Sequence, residues 1–211
     1  MASTPREDQF GLPLDWPAAR DDELFVTDSN RDAVRHLDRP STWPVMATLL
    51  TGPRLSGRSL LARRLAARTG GRVFDRAEDA DEEEVFHAWN AAQASRRPLL
   101  LVADRPPPAW TPTLPDLASR LTATPHVMIA EPDDAMFGAL LGKLLSARGL
   151  LAPPDLARYL LPRVERSYLG VHRIVEALDR HLLSRGGRPS VPVTRRALEE
   201  AGIIDARRLA G

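Results

Sequence analysis

Eight residues, Gly52-Pro53-Arg54-Leu55-Ser56-Gly57-Arg58-Ser59, constrain this chain more than any others. They fit the phosphate-binding loop pattern G-x-x-x-x-G-K-[ST] with one exchange, arginine at the lysine position. Val45 to Thr51 before the loop is a short apolar run with the composition of a buried strand, and Leu60 to Arg68 after it has helical periodicity. Strand, glycine loop and helix in that order let backbone N–H groups and a helix N-terminus face an anion. Gly52 permits the turn, and Gly57 lets the backbone approach a phosphate with no Cβ in the way. Ser59 offers its hydroxyl to a magnesium ion or a phosphate oxygen. The pattern implies ADP or ATP held by Gly52, Pro53, Arg54, Leu55, Ser56, Gly57, Arg58, Ser59 and Leu60. Arginine keeps the lysine's charge, but its planar fork does not replace a point charge. Nucleotide binding is therefore expected, and hydrolysis by this loop is not. The plainer alternative is a glycine loop that binds nothing.

Composition narrows the classes. The chain has 211 residues, 43% hydrophobic and 27% charged, which suits a globular protein with a core. A net charge of +1 and the absence of basic blocks argue against strong direct DNA binding. With no cysteine there are neither disulfides nor thiolate metal sites. The five histidines have no ligand spacing. No run approaches the ~18 apolar residues of a membrane span, and no signal-peptide core opens the chain; a cytoplasmic protein is expected. Lys143 is the sole lysine, so an arginine at position 58 partly reflects an overall preference for arginine.

The chain order predicts an α/β domain followed by helices. Ser29 reads as the N-cap of a helix from Asn30 to about Leu37, and Thr69-Gly70-Gly71 ends the loop helix. Arg72 to Asp75 is a short strand ending in an acid, Asp81 to Ser95 a helix with Val85, Phe86 and Trp89 on its apolar face. Pro98 to Asp104 and Val127 to Glu131 are further strands. Short apolar strands alternating with helices indicate a parallel sheet covered on both faces, with ligands beyond the strands' carboxyl ends. The loop, Asp75 and Asp104 all fall on that edge. Asp75 has the position of a Walker B acid, holding magnesium together with Ser59; the alternative is a strand-end acid capping a turn. Arg76 follows where a hydrolase has a second acid, and Glu78 lies too far along to be taken as equivalent. ADP-bound or slowly exchanging states fit better than autonomous hydrolysis. Beyond Glu131 only helices are expected: Asp133 to Arg148, Pro153 to about Arg163, Ser167 to Arg185 and Thr194 to Glu200. The division is thus an N-terminal segment over 1–20, a nucleotide-binding α/β domain over 21–131 and a helical lid over 132–211. Within the first segment, Gln9-Phe10-Gly11-Leu12-Pro13-Leu14 is either an extended docking peptide or a stretch that packs back on its own domain.

Several stretches together resemble the DnaA branch of the AAA+ proteins, and within it the DnaA-homologous regulators of the Hda type. Phe25-Val26 followed by Ser29-Asn30 is similar to the segment that lines the adenine pocket in that branch. Asp104-Arg105-Pro106-Pro107 resembles its sensor 1 turn, with Asp104 as the sensor. Leu114-Pro115-Asp116-Leu117-Ala118-Ser119-Arg120-Leu121 looks like the box carrying the arginine finger, the most specific match, and transfers that role to Arg120. Gly170-Val171-His172-Arg173 resembles the sensor 2 box, with Arg173 as the sensor. By spacing alone both arginines would be solvated surface residues. Gln9, Leu12, Pro13 and Leu14, with Phe10 as an added contact, fit the Q-x-x-L-P-L peptide that binds the sliding clamp, the DNA polymerase β subunit. A DNA-binding helix-turn-helix domain after the lid is not expected, which favours the regulators over the initiator.

The resemblance implies a clamp-tethered regulator of replication initiation that contacts ATP-bound DnaA and promotes hydrolysis of DnaA's nucleotide, with Arg120 acting in DnaA's site. It is compatible with a homo-oligomer and implies no membrane contact. The alternatives are a non-hydrolysing nucleotide-binding adaptor that tethers another AAA+ protein to the clamp, and an independent P-loop ATPase. One departure stands out. Only Thr69 to Gly71 separate the loop helix from the Asp75 strand, where the family has a further strand and helix. The preferred reading is a sheet shortened by one α/β unit with the Asp75 strand at an edge; the other is that Val73-Phe74 is the family's second strand and the Walker B strand is missing.

Overall fold

The computed structural model describes residues 24–204; the 9–14 peptide lies outside them. Two compact units make up the chain, one from residues 24–137 and 165–173, the other from 138–164 and the residues after 173.

The first unit is built on four parallel strands, β1 (Ala47–Thr51), β2 (Arg72–Asp75), β3 (Leu99–Val102) and β4 (His126–Met128), in the order β2-β3-β1-β4. Every residue of β1 and β3 is buried, whereas β2 and β4 are partly exposed. Continuous apolar burial is what a strand covered on both faces requires, and the mixed pattern is that of edges. The Asp75 strand is therefore an edge strand, as the shortened-sheet reading requires. Helices α1 (Arg31–Leu37) and α2 (Arg58–Thr69) accompany the sheet, together with α3 (Glu82–Ser95) and α4 (Pro115–Ala123). Leu49, Leu99 and Leu101 alternate onto the face where Val85, Ala88, Leu117 and Leu121 complete a core. Thr48, one residue out of phase, faces the other way and hydrogen-bonds His36 of α1 at 2.9 Å.

Register decides where the site forms. Asp75 pairs with Val102, Leu50 with Val102 across the other side of β3, and Thr51 with Met128. The strands thus end at nearly the same level, so the loop after β1, Asp75 and Asp104 leave the sheet along one edge, as expected.

Several boundaries differ from the sequence reading. β1 begins at Ala47 because Met46 gives its N–H to the Gln93 side chain, 2.9 Å. β4 ends at Met128 because Ala130 turns to the Ser29 carbonyl, 2.8 Å. Ser29 is not a helix cap: its hydroxyl pairs with the Thr27 hydroxyl at 2.8 Å while its N–H donates to Asp133 Oδ2 at 3.0 Å, and the residue before α1 is Asn30, whose side-chain oxygen accepts from Thr27 N–H.

The second unit is helical. It takes most of α5 (Asp134–Ser146) and α7 (Tyr168–Arg185), with α6 (Leu156–Leu160) and α8 (Val191–Glu200). Leu145, Leu156, Leu160, Val175, Leu178 and Leu198 are buried in it. α6 is shorter than expected, with turns on both sides (Leu156 N–H to Pro153 O, Arg163 N–H to Leu160 O). α8 is longer: Ser190 caps it through Val193 N–H, and Pro192 sits in the first turn, where its missing N–H costs no helical bond. Among the described residues no helix is long and apolar enough to cross a membrane.

Candidate nucleotide site

The loop's glycines are required by its path. Gly52 has φ +150, and a Cβ there would lie 2.7 Å from the Ile129 carbonyl oxygen and 2.9 Å from its side chain. Gly57 has φ +87 and serves as the N-cap of α2; a Cβ there would meet nothing within 4 Å. Glycine at 57 thus meets a backbone requirement on the open side of the loop, where a phosphate would approach. Leu55 also adopts a left-handed φ of +67 while half of it remains exposed. A bulky residue in that conformation costs about 1–3 kcal/mol and is held there by its surroundings. The Ser56 hydroxyl is buried in the loop without a hydrogen-bond partner. Twelve helical residues follow, so the dipole of a full-length helix ends at the loop.

Ser59 and Asp75 are in contact: the hydroxyl donates to Asp75 Oδ1 at 2.9 Å, and Arg63 approaches Oδ2 at 3.7 Å. Among the described residues no group of three or more histidine, cysteine, aspartate or glutamate side chains could cage a metal. One hydroxyl and one carboxylate do fit magnesium, which takes oxygen ligands and is completed by nucleotide phosphates and water.

Arg58 is oriented inward. Its Nη1 donates to the Ala103 carbonyl and its Nη2 to Asp104 Oδ1, both at 2.6 Å, with the side chain only 12% exposed. The bond from Arg58 holds the Asp104 carboxyl below the usual carboxylate range, aided by the charges of Arg58, Arg54 and Arg76 and opposed by desolvation. Arg58 and Asp104 therefore neutralise each other.

Sequence reasoning set Glu78 aside, yet Glu78 belongs to this cluster. Arg76 takes a left-handed conformation (φ 61, ψ 57), and a tight turn over Ala77–Asp79 folds the chain back, with Arg76 paired to Asp79. Glu78 Oε1 then accepts the Asp104 N–H at 2.7 Å, while its Oε2 is buried without a partner. The acid sought next to Asp75 is thus absent at position 76, and Glu78 lies instead against the backbone of Asp104.

The remaining predicted residues divide. The segment around Phe25 and Val26 is folded about buried Asn30, whose Nδ2 donates to the Phe25 carbonyl at 2.7 Å; Val26 is half exposed. Arg54 is exposed, Pro53 and Leu60 partly so. Arg173 is exposed on α7 and is not brought into the Arg58–Asp104 cluster. Arg120 lies on α4, whose entry is fixed by Glu82: its carboxylate accepts from Thr113 N–H, Leu114 N–H and the Thr113 hydroxyl at 2.7–2.9 Å. The Arg120 guanidinium rests 4.3 Å from the Phe86 ring centre and donates through Nε to Asn90 Oδ1 at 3.1 Å.

No family model matches the chain. Solved structures do. Domain III of the replication initiation protein DnaA from Thermotoga maritima superposes with a TM-score of 0.67 at 13% identity, over 90% of this chain and 100% of that domain. AMPPCP-bound DnaA from Aquifex aeolicus gives 0.56 at 17% identity, over 85% of this chain and 66% of that one. The Thermotoga maritima RuvB Holliday junction branch migration motor gives 0.53 at 13%, over 73% and 61%. The fold is thus the one these structures share, a parallel sheet flanked by helices with a helical C-terminal part.

Proposed function

We propose that this chain is a nucleotide-holding regulator of replication initiation that binds the sliding clamp and promotes hydrolysis of ATP bound to DnaA. The observation that carries the proposal is the Arg58–Asp104 pair. A loop whose only basic side chain at the lysine position is bonded to an internal acid is suited to holding a nucleotide and poorly suited to stabilising charge that develops on its γ-phosphate. The loop N–H groups and the N-terminus of α2 would take the phosphates of ADP or ATP. Ser59 and Asp75 would take magnesium, which supplies charge neutralisation at the phosphate oxygens when bound. Phe25 and Val26 would border the base, and Arg173 would approach from α7.

The catalytic contribution is assigned to another site. Arg120 would face the γ-phosphate on DnaA and stabilise the charge of its transition state, an effect of about 10³–10⁵ in rate for such fingers. Gln9, Phe10, Leu12, Pro13 and Leu14 would tether the chain to the clamp, raising its local concentration on replicating DNA without strong DNA contacts of its own. A second reading takes the contact of Arg120 with Asn90 and Phe86 as permanent, in a clamp-bound adaptor that never offers the arginine to a partner.

One assay separates them: hydrolysis of ATP-loaded DnaA with clamp assembled on DNA, comparing the full chain, Arg120→Ala and the Leu12→Ala/Leu14→Ala double variant. The regulator loses stimulation in both variants. The adaptor gives no stimulation to lose, and an independent ATPase turns over ATP with DnaA omitted.

A further inference from the structure

Phe86, Trp89 and Asn90 lie at positions i, i+3 and i+4 of α3 and so share one helix face. As expected, the two aromatics lie on the apolar face: each is partly buried and packs against the core, and each also meets the Arg120 guanidinium. Arg120 lies over the Phe86 ring at 4.3 Å and 5.4 Å from the centre of Trp89, within the range of cation–π attraction. Its Nε donates to Asn90 Oδ1, and its Nη1 to the Asp116 carbonyl one turn back on α4 at 3.2 Å. The rings are fixed in turn. Trp89 Nε1 donates to the Thr124 hydroxyl at 3.0 Å, and that hydroxyl donates to the Arg120 carbonyl at 2.8 Å. Side chain and backbone of Arg120 are thus both tied to Trp89, by different routes.

A long arginine side chain loses rotamer freedom when it is ordered, which weakens any bond it then makes. An arginine already ordered in the complex does not have to lose that freedom on the way to the transition state, so the gain falls on the rate. A ring on one face and a single amide at Nε also hold the plane of the fork without adding a second charge. No carboxylate is among these four contacts, so the cation is oriented but not neutralised. This contrasts with Arg58, which is matched to Asp104.

We propose that Phe86, Trp89 and Asn90 form a platform that pre-orders Arg120 for a triphosphate on a partner protein, making them positioning residues for the proposed reaction. The inference rests on the regulator reading above. It assigns the Nη2 end of the fork to the phosphate, because Nε and Nη1 are engaged at home. The platform lowers the rate through geometry when broken and leaves partner affinity alone.

The test uses the full chain in the clamp-dependent hydrolysis assay. Asn90→Ala and Phe86→Leu each reduce the maximal rate about tenfold, as expected for loss of a charged hydrogen bond or a cation–π contact, while the half-saturating concentration stays put. In an Arg120→Ala background neither causes a further loss. A second readout needs no partner. In the purified chain the Arg120 Nε–H resonance, identified by its absence in Arg120→Lys, is shielded by the Phe86 ring and moves downfield in Phe86→Leu. Full activity of Asn90→Ala and Phe86→Leu alongside an inactive Arg120→Ala overturns the platform and leaves the regulator reading standing. Full activity of Arg120→Ala overturns both. A change in half-saturating concentration alone assigns these residues to partner binding and overturns the platform, as does an undisplaced Arg120 resonance.

Discussion

Replacing Asp104 by asparagine tests whether the acid restrains Arg58. The substitution keeps the shape and leaves the Glu78 bond to the backbone N–H of residue 104 intact, while removing the negative charge that lies 2.6 Å from Arg58 Nη2. Two effects follow. Arg58 is 12% exposed and loses its ionic partner, but Asp104 is 53% exposed and the Ala103 carbonyl still accepts from Nη1. Solvent screening of so open a carboxylate limits the stability loss to about 1 kcal/mol, or roughly 2–4 °C in Tm for a chain of this size. Nucleotide affinity moves the other way. Arg58 becomes free to reach a phosphate, and a hydrogen bond to a charged group contributes about 1.5–3 kcal/mol, so Kd for ATP falls about tenfold or more. Calorimetric titration of nucleotide-stripped protein measures this, with Arg58→Ala in the same series. If Asp104→Asn binds ATP no more tightly than the parent chain, or if the gain survives in the Asp104→Asn/Arg58→Ala double variant, the restraint does not exist.

Gly52→Ala forces a Cβ to within 2.7 Å of a backbone carbonyl at a φ of +150; it destabilises by about 1–3 kcal/mol or more in urea unfolding and removes nucleotide binding. Leu101→Ala opens a cavity under α3 and α4 at a position 0% exposed; it costs about 2–5 kcal/mol and is read from the denaturation midpoint. The Glu82 carboxyl is held below its usual value, first by the Thr113 and then by the Leu114 backbone N–H. Its contribution to folding is present above the ordinary carboxylate pKa and is lost as pH falls through the depressed one. Unfolding curves between neutral and acid pH therefore show a stabilising contribution that disappears at low pH and is absent at every pH in Glu82→Gln.

Where the sequence was legible, local chemistry determined the outcome. The strand before the loop, the two glycines and the loop helix are consecutive, and each residue's neighbours are enough to set its conformation. The edge position of the Asp75 strand followed from how few residues separate it from α2, Gly70 and Gly71 in the structure, too few for another strand and helix. What escaped reading depends on residues far apart in the chain. Arg58 and Asp104 are separated by 46 positions, so nothing local signals that they pair. Glu78 reaches Asp104 only because Arg76, a non-glycine residue, takes a left-handed turn that its side chain does not advertise. Ser29 has the chemistry of a helix cap, but its hydroxyl is taken by Thr27 and its N–H by Asp133, 104 positions away, a partner that no local rule contains. Phe86 and Trp89 were legible as an apolar helix stripe and do pack against the core; that they also carry a guanidinium depends on the placement of α4 against α3.

The central claim is that this chain holds a nucleotide and supplies an arginine to a site on another protein. The most direct measurement is the rate of ATP hydrolysis on the proposed partner, with clamp on DNA, as a function of added chain, in parallel for the parent and Arg120→Ala. The account predicts a saturable stimulation by the parent, loss of about 10³-fold or more of that stimulation in the variant, and negligible turnover by the chain alone. Equal stimulation by both proteins, or ATP turnover by the purified chain that persists in Arg120→Ala, would contradict it.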